Sequence, residues 1–169
     1  MRSQKIALAF VAMFIWGCGG SSGNIPLVID VSFSGSDTYD GRRTPITVTT
    51  EAFAAPYGGT NFAISLSVAE QEPVALARVV RIEFADVNPE PGTYEFQRVL
   101  PPVPPFVDYT ETFEEGDKRW TSVSGSITVL SNDGNVFMAR LNNVSLISGG
   151  SSSGTVILDG PVEVPIRSE

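Results

Sequence analysis

Alternation with a period of two runs through most of this chain, and the three-to-four spacing of a helix face is hard to find. Thr60 to Val68, "TNFAISLSV", puts Phe62, Ile64, Leu66 and Val68 on one face and Ala63, Ser65 and Ser67 on the other. Arg78 to Phe84 sends Val80, Ile82 and Phe84 inward, with Arg81 and Glu83 outward. Phe106 to Phe113 offers Val107, Tyr109 and Phe113 on one face, and Tyr94 to Val99 alternates less cleanly. A run in which successive side chains point to opposite sides, with the apolar ones on one side, belongs to a pleated strand with one face buried.

Turn chemistry punctuates these runs. The clearest unit spans residues 123–147: Ile127 and Val129 lead to Asn132-Asp133-Gly134-Asn135, and Phe137 to Leu141 lead back. Asp-Gly flanked by Asn suits a tight hairpin turn. Asn142-Asn143 interrupts the alternation before Val144 and Leu146, which points to a bulge. Thr155 to Leu158 and Val162 to Val164 flank Asp159-Gly160-Pro161, read as a turn. Leu27 to Phe33 and Pro45 to Thr50 supply earlier strands, and Glu70 to Ala77 has the acids and proline of a single helical turn. Pro101, Pro102, Pro104 and Pro105 remove four amide donors, so that segment is expected as a stiff crossover rather than mid-sheet. The sum is an all-β chain, an antiparallel β-sandwich or flattened barrel of about eight or nine strands over residues 26–169.

The amino end reads differently. Arg2 and Lys5 are the only charges before Asp30, and Ile6 to Trp16 is an eleven-residue run without a polar side chain. As a helix it spans roughly 16 Å, about half a bilayer core. A basic start, a short apolar centre and a small residue before the end are the parts of a secretory signal peptide. Cys18, the only cysteine, has no disulfide mate in the chain.

Ile15-Trp16-Gly17-Cys18 resembles the lipobox of bacterial lipoproteins, with Gly17 and Cys18 matching, Ile15 an accepted substitute and Trp16 where a small residue is usual. The resemblance implies a signal peptide at 1–17 and fatty acyl chains, palmitate among them, on Cys18. It also implies a location at the outer membrane of a cell envelope, facing the periplasm or the surface, with no other cofactor. One buried chain anchors marginally and two anchor stably, at about 0.8 kcal/mol per buried CH₂. Residues 18–25, rich in Gly and Ser, would then be a flexible tether. A second resemblance is carried by Pro91-Gly92-Thr93-Tyr94, Gly125-Ser126-Ile127-Thr128-Val129 and Gly160-Pro161-Val162-Glu163-Val164-Pro165-Ile166. It is to uncharacterised β-sandwich lipoproteins and implies no activity.

Composition narrows the chemistry. Residues 18–169 carry nine Arg and Lys against nineteen Asp and Glu, a balance that repels nucleic-acid backbones. The chain has no histidine, so triads built on imidazole and histidine-ligated metals are excluded. Carboxylate chemistry, a Ser-Lys pair and oxygen-ligated calcium survive.

Four acids crowd "ETFEEGDKRW": Glu111, Glu114, Glu115 and Asp117 are calcium candidates, against the plainer reading of a solvated turn. Asp37 and Asp40 invite the same guess. Trp120, Tyr109 and Tyr57 are candidates for stacking on a glycan, against the plainer reading of core aromatics. Lys118 with Ser122 is a candidate dyad. No catalytic residue is assigned. The expected role is a non-catalytic structural or interaction module, with a glycan- or ligand-binding module and a carboxylate-dependent hydrolase as alternatives.

Overall fold

A computed structural model describes residues 28–35, 41, 43, 45–47, 53–69, 77–99, 101–114, 116–148 and 154–167. Among the described residues every regular element is a strand. In chain order these are β1 (Val28–Ser34), β2 (Ile46–Thr47), β3 (Phe53–Tyr57), β4 (Asn61–Ala69), β5 (Ala77–Phe84), β6 (Gly92–Glu95), β7 (Phe106–Phe113), β8 (Gly116–Asn132), β9 (Val136–Ser148) and β10 (Thr155–Pro165). They form one antiparallel sheet in the order β2-β1-β10-β9-β8-β7-β5-β4-β3, with β6 also paired to β8.

The sheet curls on itself as a half-barrel. Its edge strand β3 meets the end of β10 through a parallel bridge between Ala54 and Ile166, and the Arg167 N–H donates to the Ala54 carbonyl at 2.8 Å. Pro56 on β3, and Pro161 and Pro165 on β10, lack the N–H groups that would extend this seam. The fold is therefore all-β and two-walled, as the alternation requires.

The inward face follows the sequence pattern strand by strand. Ile29, Val31 and Phe33, then Phe62, Ile64 and Leu66, then Val80, Ile82 and Phe84 are all buried. The two walls meet through aromatic rings: Phe137 of β9 lies 5.3 Å from Phe62 and 5.9 Å from Phe84, while Phe33 of β1 lies 5.7 Å from Trp120 of β8.

Curvature comes from a crease across three strands. In β8 the buried positions change phase, from Trp120 and Ser122 to Ile127 and Val129. In β9 they change from Phe137, Ala139 and Leu141 to Val144 and Leu146. The bulge expected at Asn142-Asn143 is present: Leu158 pairs with Val144 but Gly160 with Leu141, and Asn143 takes φ 45°. Two glycines permit the close approach. A Cβ on Gly125 would sit 2.7 Å from the Asn143 carbonyl oxygen, and one on Gly160 would sit 2.8 Å from that of Val28. Where β8 swings away from β7, the Ser122 hydroxyl accepts the Val107 N–H at 2.9 Å and so replaces a ladder bond.

The Asp133-Gly134 hairpin stands as read. Asp133 Oδ1 accepts the N–H groups of Asn135 and Val136, each at 2.8 Å. Other boundaries need correcting. Asp159-Gly160-Pro161 is no turn, because β10 runs through it and absorbs the register shift there. Only Gly92–Glu95 of the 92–99 region pairs as a strand; Phe96 is buried and its N–H donates to the Gly125 carbonyl, after which the chain is exposed and enters the prolines. Strand β3 has a weak signal, since Phe53-Ala54-Ala55-Pro56-Tyr57 contains a proline and two alanines. The helical turn considered within 70–77 lies outside the described residues, except that Ala77 begins β5.

Candidate functional site

Two places gather polar chemistry, one inside the sheet and one on its outer surface. Inside, the alternation that buries Val80 and Ile82 also turns Arg78 inward, and the alternation that buries Val107 and Tyr109 turns Glu111 inward. Arg78 stands directly opposite Glu111 across β5–β7, and Glu111 directly opposite Lys118 across β7–β8. A row of plus, minus and plus thus closes one end of the core.

Glu111 is wholly buried and accepts a 2.7 Å hydrogen bond from the Tyr109 hydroxyl. Burial, then the neighbouring Glu111 carboxylate, pushes the Tyr109 hydroxyl well above its ordinary pKa, partly offset by Arg78. The Arg78 guanidinium donates to the Pro45 carbonyl at 3.4 Å, and the Lys118 ammonium lies 4.5 Å from the centre of the Phe113 ring. Arg78 and Glu111 are buried and Lys118 is half-buried, so the row acts as a polar plug at this end of the core.

On the opposite face of the same strands, Asp108 is almost as buried, and it accepts from Arg119 and, at 2.6 Å, from the Thr121 hydroxyl. Glu83 accepts from Arg81 at 2.9 Å and from Asn61 at 2.8 Å. One network ties β7 to β8 and the other ties β4 to β5 across the outer surface.

The outer cleft lies over the crease. It has a volume of about 160 Å³ and is lined by Asp30, Ser32, Arg43, Asn143 and Asp159, with Val31 and Ile157 completing the wall. The lifted backbone of the Asn143 bulge forms one side; β1, drawn close by the missing side chain of Gly160, forms the other. Asp30 and Asp159 face each other directly across β1–β10. Like charges so placed repel. Asp159 is compensated: Arg140 donates to its Oδ1 at 2.9 Å and the Asn143 N–H to its Oδ2 at 3.1 Å.

The sequence-level candidates fare unevenly. Trp120 and Tyr109 are wholly buried, their rings 5.7 Å apart, and neither presents a face to a sugar; the stacking platform proposed on them is overturned by core packing. Tyr57 ends β3, and its side chain lies outside the described residues.

The acidic run is split by the pleat. Glu111 points into the core, Glu114 and Asp117 are exposed at the β7–β8 connection, and Glu115 lies outside the described residues. Among the described residues no group of three or more acids comes together as a metal site. Lys118 and Ser122 share a face of β8 but sit four residues apart, roughly 13 Å along a strand, and Ser122 already accepts the Val107 N–H. Cys18, Asp37 and Asp40 lie outside the described residues.

The cleft was missed because Asp30 and Asp159 are brought together only by the β1–β10 pairing, which no local pattern encodes. Arg78 and Glu111 had a signal: each continues the phase of the buried residues beside it. No family model, curated protein or solved structure matches this chain.

Proposed function

We propose that this chain is a lipid-anchored protein of a bacterial cell envelope, in which acylated Cys18 tethers a non-catalytic β-sandwich at the outer membrane as a structural or interaction module. The observation that carries the reading is Gly17-Cys18 placed at the end of a basic start and an eleven-residue apolar run. A second support is spacing. Residues 18–27 separate the acyl site from β1, and extended chain spans at most about 35 Å over that length, enough to stand a domain clear of lipid headgroups. The acidic balance of residues 18–169 suits a domain kept off an anionic surface.

Against a carboxylate hydrolase stands the state of the facing pair Asp30 and Asp159. Asp159 has both oxygens committed to Arg140 and Asn143, so it is not a free acid for Asp30 to work with.

Intact mass of material extracted from native membranes tests the anchor. Loss of residues 1–17 with a mass gain of acyl chains on Cys18 is expected, together with partition into the detergent phase. Cys18→Ala should retain the uncut chain and carry no lipid. An unmodified Cys18 in native material overturns the proposal.

A further inference from the structure

We infer that the cleft between β1 and the Asn143 bulge binds a small zwitterion, a ligand carrying an ammonium and an anionic group a few bonds apart. The inference stands apart from membrane anchoring, because it rests on the cleft alone. Asp30 and Arg43 line the same cavity, both exposed, with opposite charges. Arg43 bridges to Ser32, two residues from Asp30, so the two side chains are diagonal neighbours on one face, about 7–8 Å apart at their origins. They do not form an ion pair with each other, and among the described residues neither side chain has another hydrogen-bond or ion-pair partner.

Asp159, the third charged residue lining the cleft, is answered. Arg140 is spent on Asp159, and the second Asp159 oxygen on Asn143. What remains is one carboxylate, one guanidinium, the Ser32 hydroxyl and the Asn143 side-chain amide, around about 160 Å³ of space. A concave site with a few convergent polar groups is the usual form of a small-ligand site.

The charges also fix polarity. An ammonium placed beside Asp30 would relieve its direct opposition to Asp159, which the Arg140 contact relieves only from the far side. An anionic group would then face Arg43, whose planar fork accepts a carboxylate or phosphate. A lone cation meets Arg43 as a repulsion, and a lone anion meets Asp30 and Asp159 in the same way. The cavity volume suits a molecule the size of an amino acid or a phosphoethanolamine group.

The test is ¹⁵N–¹H spectroscopy of the full chain in detergent micelles, titrated separately with L-alanine, O-phosphoethanolamine, methylammonium chloride and sodium acetate. Saturable shifts of the Ser32 and Asn143 amides are expected with L-alanine or with O-phosphoethanolamine, and which of the two binds tighter distinguishes an amino acid from a lipid headgroup. Methylammonium and acetate should each bind at least about tenfold more weakly, the factor corresponding to loss of one charged contact. Asp30→Asn and Arg43→Gln should each weaken the zwitterion by about tenfold or more, and leave the amide spectrum of the distant Phe62–Phe137 core unchanged as a check on folding. No saturable shift from either zwitterion, equal binding by methylammonium alone, or unaltered binding in both variants overturns the inference.

Discussion

The two ends of the core are built on the same alternation and filled with opposite chemistry. At the hairpin end, Phe62, Phe84, Phe137 and Tyr94 pack ring against ring, with Phe84 and Tyr94 edge-to-face at 5.1 Å. At the other end, Tyr109 and Trp120 give way to Glu111, flanked in register by Arg78 and Lys118. The first end is stabilised by apolar area and ring geometry, which need no partner of defined charge. The second depends on each polar group being answered, because a charge left alone in the interior is expensive. A period-two pattern therefore fixes which residues face inward, while the chemistry of that face decides how it fails.

Two truncations separate the chemistry of the ends most directly. Phe137→Ala removes the ring that joins both walls, and should cost about 3–5 kcal/mol in urea unfolding through the cavity it leaves. Glu111→Ala should cost about as much by another route, since Arg78 keeps a buried charge and Tyr109 loses its acceptor. The double change Arg78→Met with Glu111→Leu separates the routes. It should recover most of the loss, because well-packed apolar residues often replace a buried charged pair at no net cost. No comparable second substitution on the polar side rescues Phe137→Ala.

Alkali distinguishes the ends next. The Tyr109 hydroxyl titrates above its ordinary 10 in the folded chain, because burial and then the Glu111 carboxylate disfavour the phenolate. Below pH 10 both folded and unfolded chains keep that proton. Above it the unfolded chain releases the proton first, so stability falls as pH rises, by about 1.4 kcal/mol per pH unit from this group. Tyr109→Phe should flatten that limb. Phe62→Leu, at the hairpin end, should lower stability without changing its alkaline slope.

The contrast also explains what could be read beforehand. Phe62, Ile64, Val80, Ile82 and Phe137 announce their face through their own hydrophobicity, and the Asp133-Gly134 hairpin through residues that serve few other purposes. Arg78 and Glu111 share that phase but look like ends of strands or members of a charged turn, since a charged side chain is ordinarily taken as a mark of solvent. Trp120 was ambiguous for a similar reason: Lys118 and Arg119 precede it, yet the pleat sends Arg119 out to Asp108 and Trp120 inward. The crease was half legible. Asn142-Asn143 signals a bulge in β9, but the neighbouring phase change in β8 and the cleft beside it arise from three strands meeting. Asp30 and Asp159 are 129 positions apart, and only the closing pairing of β1 with β10 makes them neighbours.

Trp120 sharpens the comparison at smaller amplitude. Its buried indole N–H has no hydrogen-bond partner among the described residues, unlike the hydroxyl of Tyr109 beside it. Trp120→Phe removes packing volume but also removes an unanswered donor, whose burial costs about 1–3 kcal/mol. The net loss should stay within about 2 kcal/mol, well under the 3–5 kcal/mol or so of a truncation to alanine. A loss from Trp120→Phe as large as that from Trp120→Ala would mean that the N–H is answered after all.

The smallest effect lies at the turn that closes the aromatic end. The Asp133 carboxylate sits below its ordinary pKa because the N–H groups of Val136 and then Asn135 donate to it. A depressed folded value means that the stabilisation is complete above the unfolded value of 3.8 and is lost as pH falls through the lower folded value. Urea midpoints at about pH 6 and about pH 2.5 should therefore differ less in Asp133→Asn than in the parent, since an amide oxygen keeps the acceptor and has no proton to gain. The same substitution should leave the alkaline limb of Tyr109 untouched, because the two groups sit at opposite ends of the core. An alkaline slope that moved with Asp133 would show that the ends titrate as one unit, and the division between a ring-packed end and a charge-matched end would then be wrong.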